Sequence, residues 1–210
     1  RFVEEGGSFK KLIRSIALTS ANRMSASHPE PEAADPDNRQ LWRMNRRRVD
    51  AEFLRDALLH ASGRLSLAAG GPSFPASLTA DFGFVYEGFV RGVFVPAFRN
   101  ALPDLFEAFD AVGAGGRRNA STVAPQALFF MNHPFVMTQA RAAAERLRAE
   151  PHPDDAARLL QAYRRTLGRA PSEEERRLAG AFLKGATTPE EGWAGLFQVL
   201  FASMEFRYVD

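Results

Sequence analysis

The fold is decided by the stretch Thr188-Pro-Glu-Glu-Gly-Trp-Ala-Gly-Leu-Phe-Gln-Val-Leu-Phe-Ala-Ser-Met204. Its large apolar residues, Trp193, Leu196, Phe197, Leu200, Phe201 and Met204, recur at i, i+3, i+4, i+7, i+8 and i+11. That spacing brings side chains to one face of an α-helix, so the stretch predicts a helix with one face buried. Thr188 and Glu191 have the capping-box pattern, and Pro189 takes the first helical position, where a missing N–H is not needed.

Upstream, the same logic repeats. Ser172 and Glu175 form a second capping box, ahead of a helix carrying Leu178, Phe182 and Leu183. Asp154 or Asp155 starts a helix with Leu159, Leu160, Tyr163 and Leu167 that stops at Gly168. Pro134 opens a helix to about Ala149, with Phe135, Ala140, Ala143 and Leu147 inward. Thr122 caps a short helix holding Leu128, Phe129 and Met131, which Asn132-His133-Pro134 breaks. Nearer the start, Leu41 to Ser62 reads as helix with a stripe of Trp42, Val49, Phe53, Leu54, Ala57, Leu58 and Ala61, ended by Gly63. Ser8 caps a first helix with Phe9, Leu12, Ile13 and Ile16 on one face. Residues 21–40 and 64–81 read as loops. Strand character is confined to Phe82–Tyr86 and Val93–Phe98, and Pro96 there argues for an edge position or for no regular strand. The expected fold is mainly α, a helical bundle with a short extended or hairpin segment around residues 82–98. Residues 1–210 are expected to form one domain, with a possible subdomain joint near 110–121 and the C-terminal bundle at 119–210.

The composition of the 210 residues, 45% hydrophobic and 25% charged, is that of a globular chain. The skew lies within the classes: 24 of 27 basic residues are Arg, and 18 of 23 aromatics are Phe. Phe has no polar handle, and most of these rings fall on inward helix faces, so they read as core. A net charge of +2 gives no footprint for nucleic acid, and no aromatic platform alternates with the arginines. The absence of Cys excludes disulfides, thiolate metal sites, covalent haem attachment and a Cys nucleophile within this chain. No run approaches the roughly 18 apolar residues of a membrane span. A start at Arg1, with no charged-then-apolar leader, reads as part of something longer.

Candidate chemistry is sparse. Arg46-Arg47-Arg48 has the makings of an oxyanion clamp. Read as a helix start, the same run pairs Arg46 with Asp50 and Arg48 with Glu52 at i+4, and Arg47 with Asp50 at i+3, while Glu52 reaches Arg55. Arg117-Arg118-Asn119 follows a glycine turn and precedes a helix, a place where an anion can sit, although no P-loop lysine follows. Of the four histidines, His28, His60, His133 and His152, none pair at i+3 or i+4, and His133 reads as a capping or turn residue. Ser121 and Ser203 lack a nucleophile elbow, and Glu52 with Asp56 is a carboxylate pair of a kind common on solvated faces. No catalytic residue, metal ligand or cofactor is assigned.

Four segments together are more specific than any alone. They are Asp35 to Glu52 (DPDNRQLWRMNRRRVDAE), Gly92 to Asn100 (GVFVPAFRN), Arg117 to Leu128 with Met131 to Val136, and Ala162 to Pro171 (AYRRTLGRAP) with Ala202 to Asp210. The chain resembles the C-terminal part of the DUF1553 family, the planctomycete PSD1 domain. Asn22 stands where that family leads one to expect Tyr, and Gly92 interrupts a stretch expected to read Arg-Ser-Val-Tyr. The resemblance implies the tail of a longer, extracytoplasmic polypeptide whose upstream domains include DUF1549 and often a cytochrome-c-like domain. It carries no established activity or catalytic residues.

The leading expectation is a non-catalytic helical module of a secreted multidomain bacterial protein, serving assembly, surface attachment or ligand binding. The alternative is part of an enzyme acting on anionic, sulfated polysaccharide, with Arg47, Arg99, Arg117 and Arg118 as anion contacts converging around a cleft. A third option, docking to a haem domain of the same polypeptide, requires an exposed apolar patch.

Overall fold

The computed structural model describes residues 2–4, 6–26, 35–68, 70–98, 100–109 and 124–209. The chain divides into two compact units, Arg1–Arg48 with Tyr208–Asp210, and Val49–Arg207. The joint expected near residues 110–121 lies outside the described residues, as does the Thr122 cap.

In the smaller unit, helix α1 spans Phe9–Ala17, and the Ser8 hydroxyl accepts the Lys11 N–H as expected. Asn22 donates its side-chain amide to the Ala17 carbonyl, satisfying an acceptor at the helix end. Phe9, Ile13 and Ile16 are exposed on this helix.

The helix expected from Leu41 begins only at Ala51. The reason lies in Asp35 and Asn38, whose side chains compete for backbone groups. The Asp35 carboxylate accepts the N–H of Arg39 and of Gln40, at 2.9 and 2.8 Å. Asn38, with a positive φ of 53°, donates to the Arg43 carbonyl at 2.8 Å and to Asn45 Oδ1 at 3.0 Å. Trp42 donates its indole N–H to the Asp35 carbonyl rather than packing on a helix stripe. Strand β1, Arg47–Arg48, then pairs antiparallel with β2, Tyr208–Val209, in the register Arg47 to Val209.

The larger unit holds α2 (Ala51–Ser62), α3 (Asp104–Ala108), α4 (Ala124–Asn132), α5 (Pro134–Ala149), α6 (Asp155–Leu167), α7 (Glu173–Gly185), α8 (Pro189–Ala202) and α9 (Met204–Arg207). The caps are largely those read from the sequence. Asp154 caps α6, both bonds of the Ser172–Glu175 box are present, and Thr188 accepts the Glu191 N–H. Gly63 ends α2 in the left-handed conformation, with φ of 75°, and Arg146 donates to the His60 carbonyl at 3.0 Å beside it. A cation there also suits the negative end of the helix dipole.

Helix α8 is the centre of the core. Trp193, Leu196, Phe197, Leu200 and Phe201 are buried, facing Val136, Ala140, Ala143 and Leu147 of α5, with Leu54, Leu58 and Ala61 of α2 in the same cluster. The apolar stripe does not run on to Met204, which is 51% exposed. Ser203 turns to extended backbone and ends α8, so the stripe passes to Phe206, whose ring lies 5.1 Å from Phe201.

After a turn at Phe82–Gly83, closed by the Phe84 N–H on the Asp81 carbonyl, residues 84–98 run largely extended without a hairpin. A single 3-10 turn, Gly92–Phe94, interrupts them, and Ser66 makes an isolated parallel bridge to Val90. Gly92 is needed for close approach: a β-carbon there would lie 2.7 Å from the Glu52 carbonyl and 2.8 Å from its Cα. Its N–H donates to Asp56 Oδ1 at 2.6 Å, so the departure at Gly92 presses the chain onto α2.

Candidate functional site

One turn of α2 holds the extended segment by both of its neighbouring charges. Asp56 receives the Gly92 N–H and lies 3.5 Å from the Arg91 guanidinium. Arg55 donates to the Val90 carbonyl at 2.6 Å and to the Gly88 carbonyl. Asp56, whose side chain is 13% exposed, therefore does not belong to a solvated face, contrary to the expectation for the Glu52 and Asp56 pair.

Between the tethered segment and the helices lies a cavity of about 410 Å³. Tyr86, Phe84 and Phe89 form one wall, the chain from Ala101 to Leu105 another, and Phe129, His133 and Phe135 a third. Thr138 and Gln139 of α5 reach it as well. Gln139 is fixed in place, since its Oε1 accepts the buried Ser62 hydroxyl at 2.9 Å. The His133 ring stacks on Phe129, with centroids 4.1 Å apart and an interplanar angle of 13°. The Arg55 guanidinium lies 5.6 Å from the Tyr86 ring, and that of Arg64 lies 5.8 Å from Phe89. The size and the aromatic lining with a few polar groups are those of a small-molecule site.

His133 is the cap read from the sequence. Its Nδ1 accepts the Phe135 N–H at 3.2 Å, which leaves the proton on Nε2, 2.9 Å from Asp104 Oδ2. Both ring nitrogens are thus hydrogen-bonded within the fold. Of the other histidines, His60 is exposed and His28 lies outside the described residues. Ser203 caps α8, its hydroxyl donating to the Leu200 carbonyl, and Ser121 lies outside the described residues. Among the described residues no cluster of three or more His, Asp or Glu has metal-binding geometry. Four carboxylates, Glu150, Glu174, Glu175 and Glu190, are pulled below the usual range, Glu150 and Glu175 chiefly by hydrogen bonds from Arg165 and Arg169, and a lowered carboxylate is not the mark of a general acid.

The arginine constellation reads differently in three dimensions. Arg46, Arg47 and Arg48 precede α2 rather than starting it, so the i+3 and i+4 spacings on which their pairing with Asp50 and Glu52 rested do not apply. Arg47 is exposed on β1 of the smaller unit. Arg99, Arg117 and Arg118 lie outside the described residues.

Sequence reasoning missed Arg55 and the phenylalanines of the cavity. The spacing makes Arg55 a local ion-pair partner of Glu52, yet its side chain is only 5% exposed and donates to the Val90 and Gly88 carbonyls. One signal was present: it falls on the apolar side of α2, four residues after Ala51 and four before Leu59, both buried. The Phe excess is core in Phe106, Phe109, Phe130, Phe197, Phe201 and Phe206. It is not core around residues 74–98, where Phe74 and Phe84 pack edge-on against Phe98, with centroids 5.2 and 5.8 Å away, and Phe89 stays 44% exposed.

Fold and cavity together define a mainly helical module with an aromatic pocket on its larger unit. The chain belongs to the PSD1 family, described as a protein of unknown function (DUF1553), whose profile matches residues 1–183. No curated protein and no solved structure matches it. No helix among the described residues is long and apolar enough to cross a membrane.

Proposed function

We propose that this chain is a non-catalytic ligand-binding module, and that its cavity accepts a compact, ring-bearing apolar molecule. The observation that carries the reading is the cavity of about 410 Å³, two of whose three walls carry aromatic rings. A neutral naphthalene dye such as prodan tests it. Its emission is expected to shift to the blue on titration with the chain, and Thr138→Trp, which fills the cavity from an exposed helical position, is expected to abolish the shift. An unchanged titration in the Trp variant would move binding elsewhere and end the proposal.

The family resemblance extends this reading to its context: a segment of a longer, exported polypeptide that packs against upstream domains. The exposed Phe9, Ile13 and Ile16 of α1 support such a contact. Co-purification of the chain with the separately expressed upstream segments should be lost in Ile13→Glu. Equal recovery with that variant would remove α1 from the contact.

A further inference from the structure

The cavity wall contains a buried cation that, among the described residues, no carboxylate hydrogen-bonds. Arg55 is 5% exposed, and among the described residues its hydrogen-bond acceptors are two carbonyl groups, of Gly88 and Val90. The adjacent carboxylate, Asp56, is directed to the Gly92 N–H and to Arg91. A guanidinium has five N–H donors and a full positive charge, and two neutral acceptors meet only part of that demand. Burial is costly for a cation, and desolvation pushes the Arg55 pKa below that of an exposed arginine, against the smaller opposing pull of Tyr86 and Asp56. It nevertheless stays charged at neutral pH. The same side chain lines the cavity, beside Tyr86.

Building on the cavity as a binding site, we infer that its ligand is an aromatic carboxylate, whose ring packs among Tyr86, Phe89 and Phe129 and whose carboxylate pairs with Arg55. The pairing supplies a directly hydrogen-bonded carboxylate, which Arg55 lacks among the described residues, and a carboxylate matches the planar guanidinium fork. Arg64, which lines the same cavity and is exposed, adds positive potential for an approaching anion. Two carboxylates line the cavity: Asp104 is already held by the imidazole, and Glu87 is exposed, with no hydrogen bond to Arg55 among the described residues.

The test compares naphthoate with naphthylmethanol, a neutral molecule of nearly the same shape, by calorimetric titration of the unmodified chain. Naphthoate is expected to bind about ten- to a hundredfold more tightly, the worth of a charge-assisted hydrogen bond in a dry site. Arg55→Met is expected to level the two affinities, provided a thermal melt shows that it folds. If it does not fold, the comparison on the unmodified chain decides alone. Equal affinities overturn the carboxylate inference while leaving the cavity as an apolar site. Binding of neither molecule removes the cavity reading as well. A preference for naphthoate that survives in Arg55→Met and vanishes in Arg64→Gln overturns the assignment to Arg55.

Discussion

Replacing Phe197 by alanine is expected to lower the stability of the chain by about 3–5 kcal/mol, the range for removing a buried aromatic ring. Phe197 is fully buried at the middle of α8, with the Phe201 ring 6.0 Å away. Helix α5, which packs on α8, contributes the short side chains Ala140, Ala143 and Ala144 to the same core, and these cannot swing in to fill the void. The cavity left behind therefore persists, which places the loss toward the upper end. Urea unfolding of the whole chain should show the lower midpoint with an unchanged slope. The melting temperature should fall by about 6–20 °C for a unit of this size. A loss below about 1 kcal/mol would mean that α8 is not the centre of the core. Because α8 also supports α5, and with it Thr138 and Gln139, dye binding should decline only in step with the folded fraction.

The second large effect is expected at Arg169. This residue follows Gly168, the stop of α6, and all its donors are used. Its Nε and Nη2 bind Glu205 at 2.6 and 2.7 Å, and its Nη1 and Nη2 bind Glu175 at 2.7 Å each. Nη1 also reaches the Ala170 carbonyl at 3.0 Å, and the guanidinium lies 5.6 Å from the Tyr163 ring. Glu175 in turn accepts the Ser172 N–H in the capping box of α7. One side chain thus ties together the end of α6, the start of α7 and α9. Arg169→Met leaves two carboxylates facing each other without a cation. With these side chains 30–39% exposed, screening reduces the penalty to about 2–3 kcal/mol, or about 4–12 °C.

The same cluster sets an acid response. Arg169 hydrogen bonds, with help from Ser172, lower the Glu175 pKa from 4.5 to about 2. A carboxylate whose pKa is depressed on folding stabilises the folded state fully above its unfolded value and loses that contribution as pH falls through the folded one. The chain should therefore lose stability between about pH 4.5 and 2, and Arg169→Met should shrink that loss. An identical acid profile in the variant would show that Glu175 is not depressed by Arg169.

Most helices are legible because their signals are local. Ser8, Asp154, Ser172 and Thr188 each cap a backbone N–H three residues on, a contact that needs no other part of the chain. Local signals misled from Leu41 to Asp50, where the helical spacing was overridden by the side-chain bonds of Asp35 and Asn38. They misled again at Met204, because periodicity does not reveal where the backbone turns. The candidate site was barely legible. Its phenylalanines looked like every other phenylalanine, and Arg55 looked like a partner for Glu52. Burial and hydrogen bonding across thirty or more residues, to Gly88 and Val90, changed both meanings.

The opening stretch, Thr188 to Met204, shows where the division falls. Cap, first-turn proline and apolar period are set by residues within a few positions of one another, so the sequence by itself determined that α8 forms and which side it buries. The Cys-free composition likewise settles by itself that no thiol chemistry occurs within this chain. Which segments face that side, that Arg47 and Arg48 pair with the last residues, and that α2 holds residues 88–92 to leave an aromatic cavity beside a buried cation were decided only by tertiary structure. These features depend on close approach between distant parts of the chain, and periodicity along a helix says nothing about what lies opposite it.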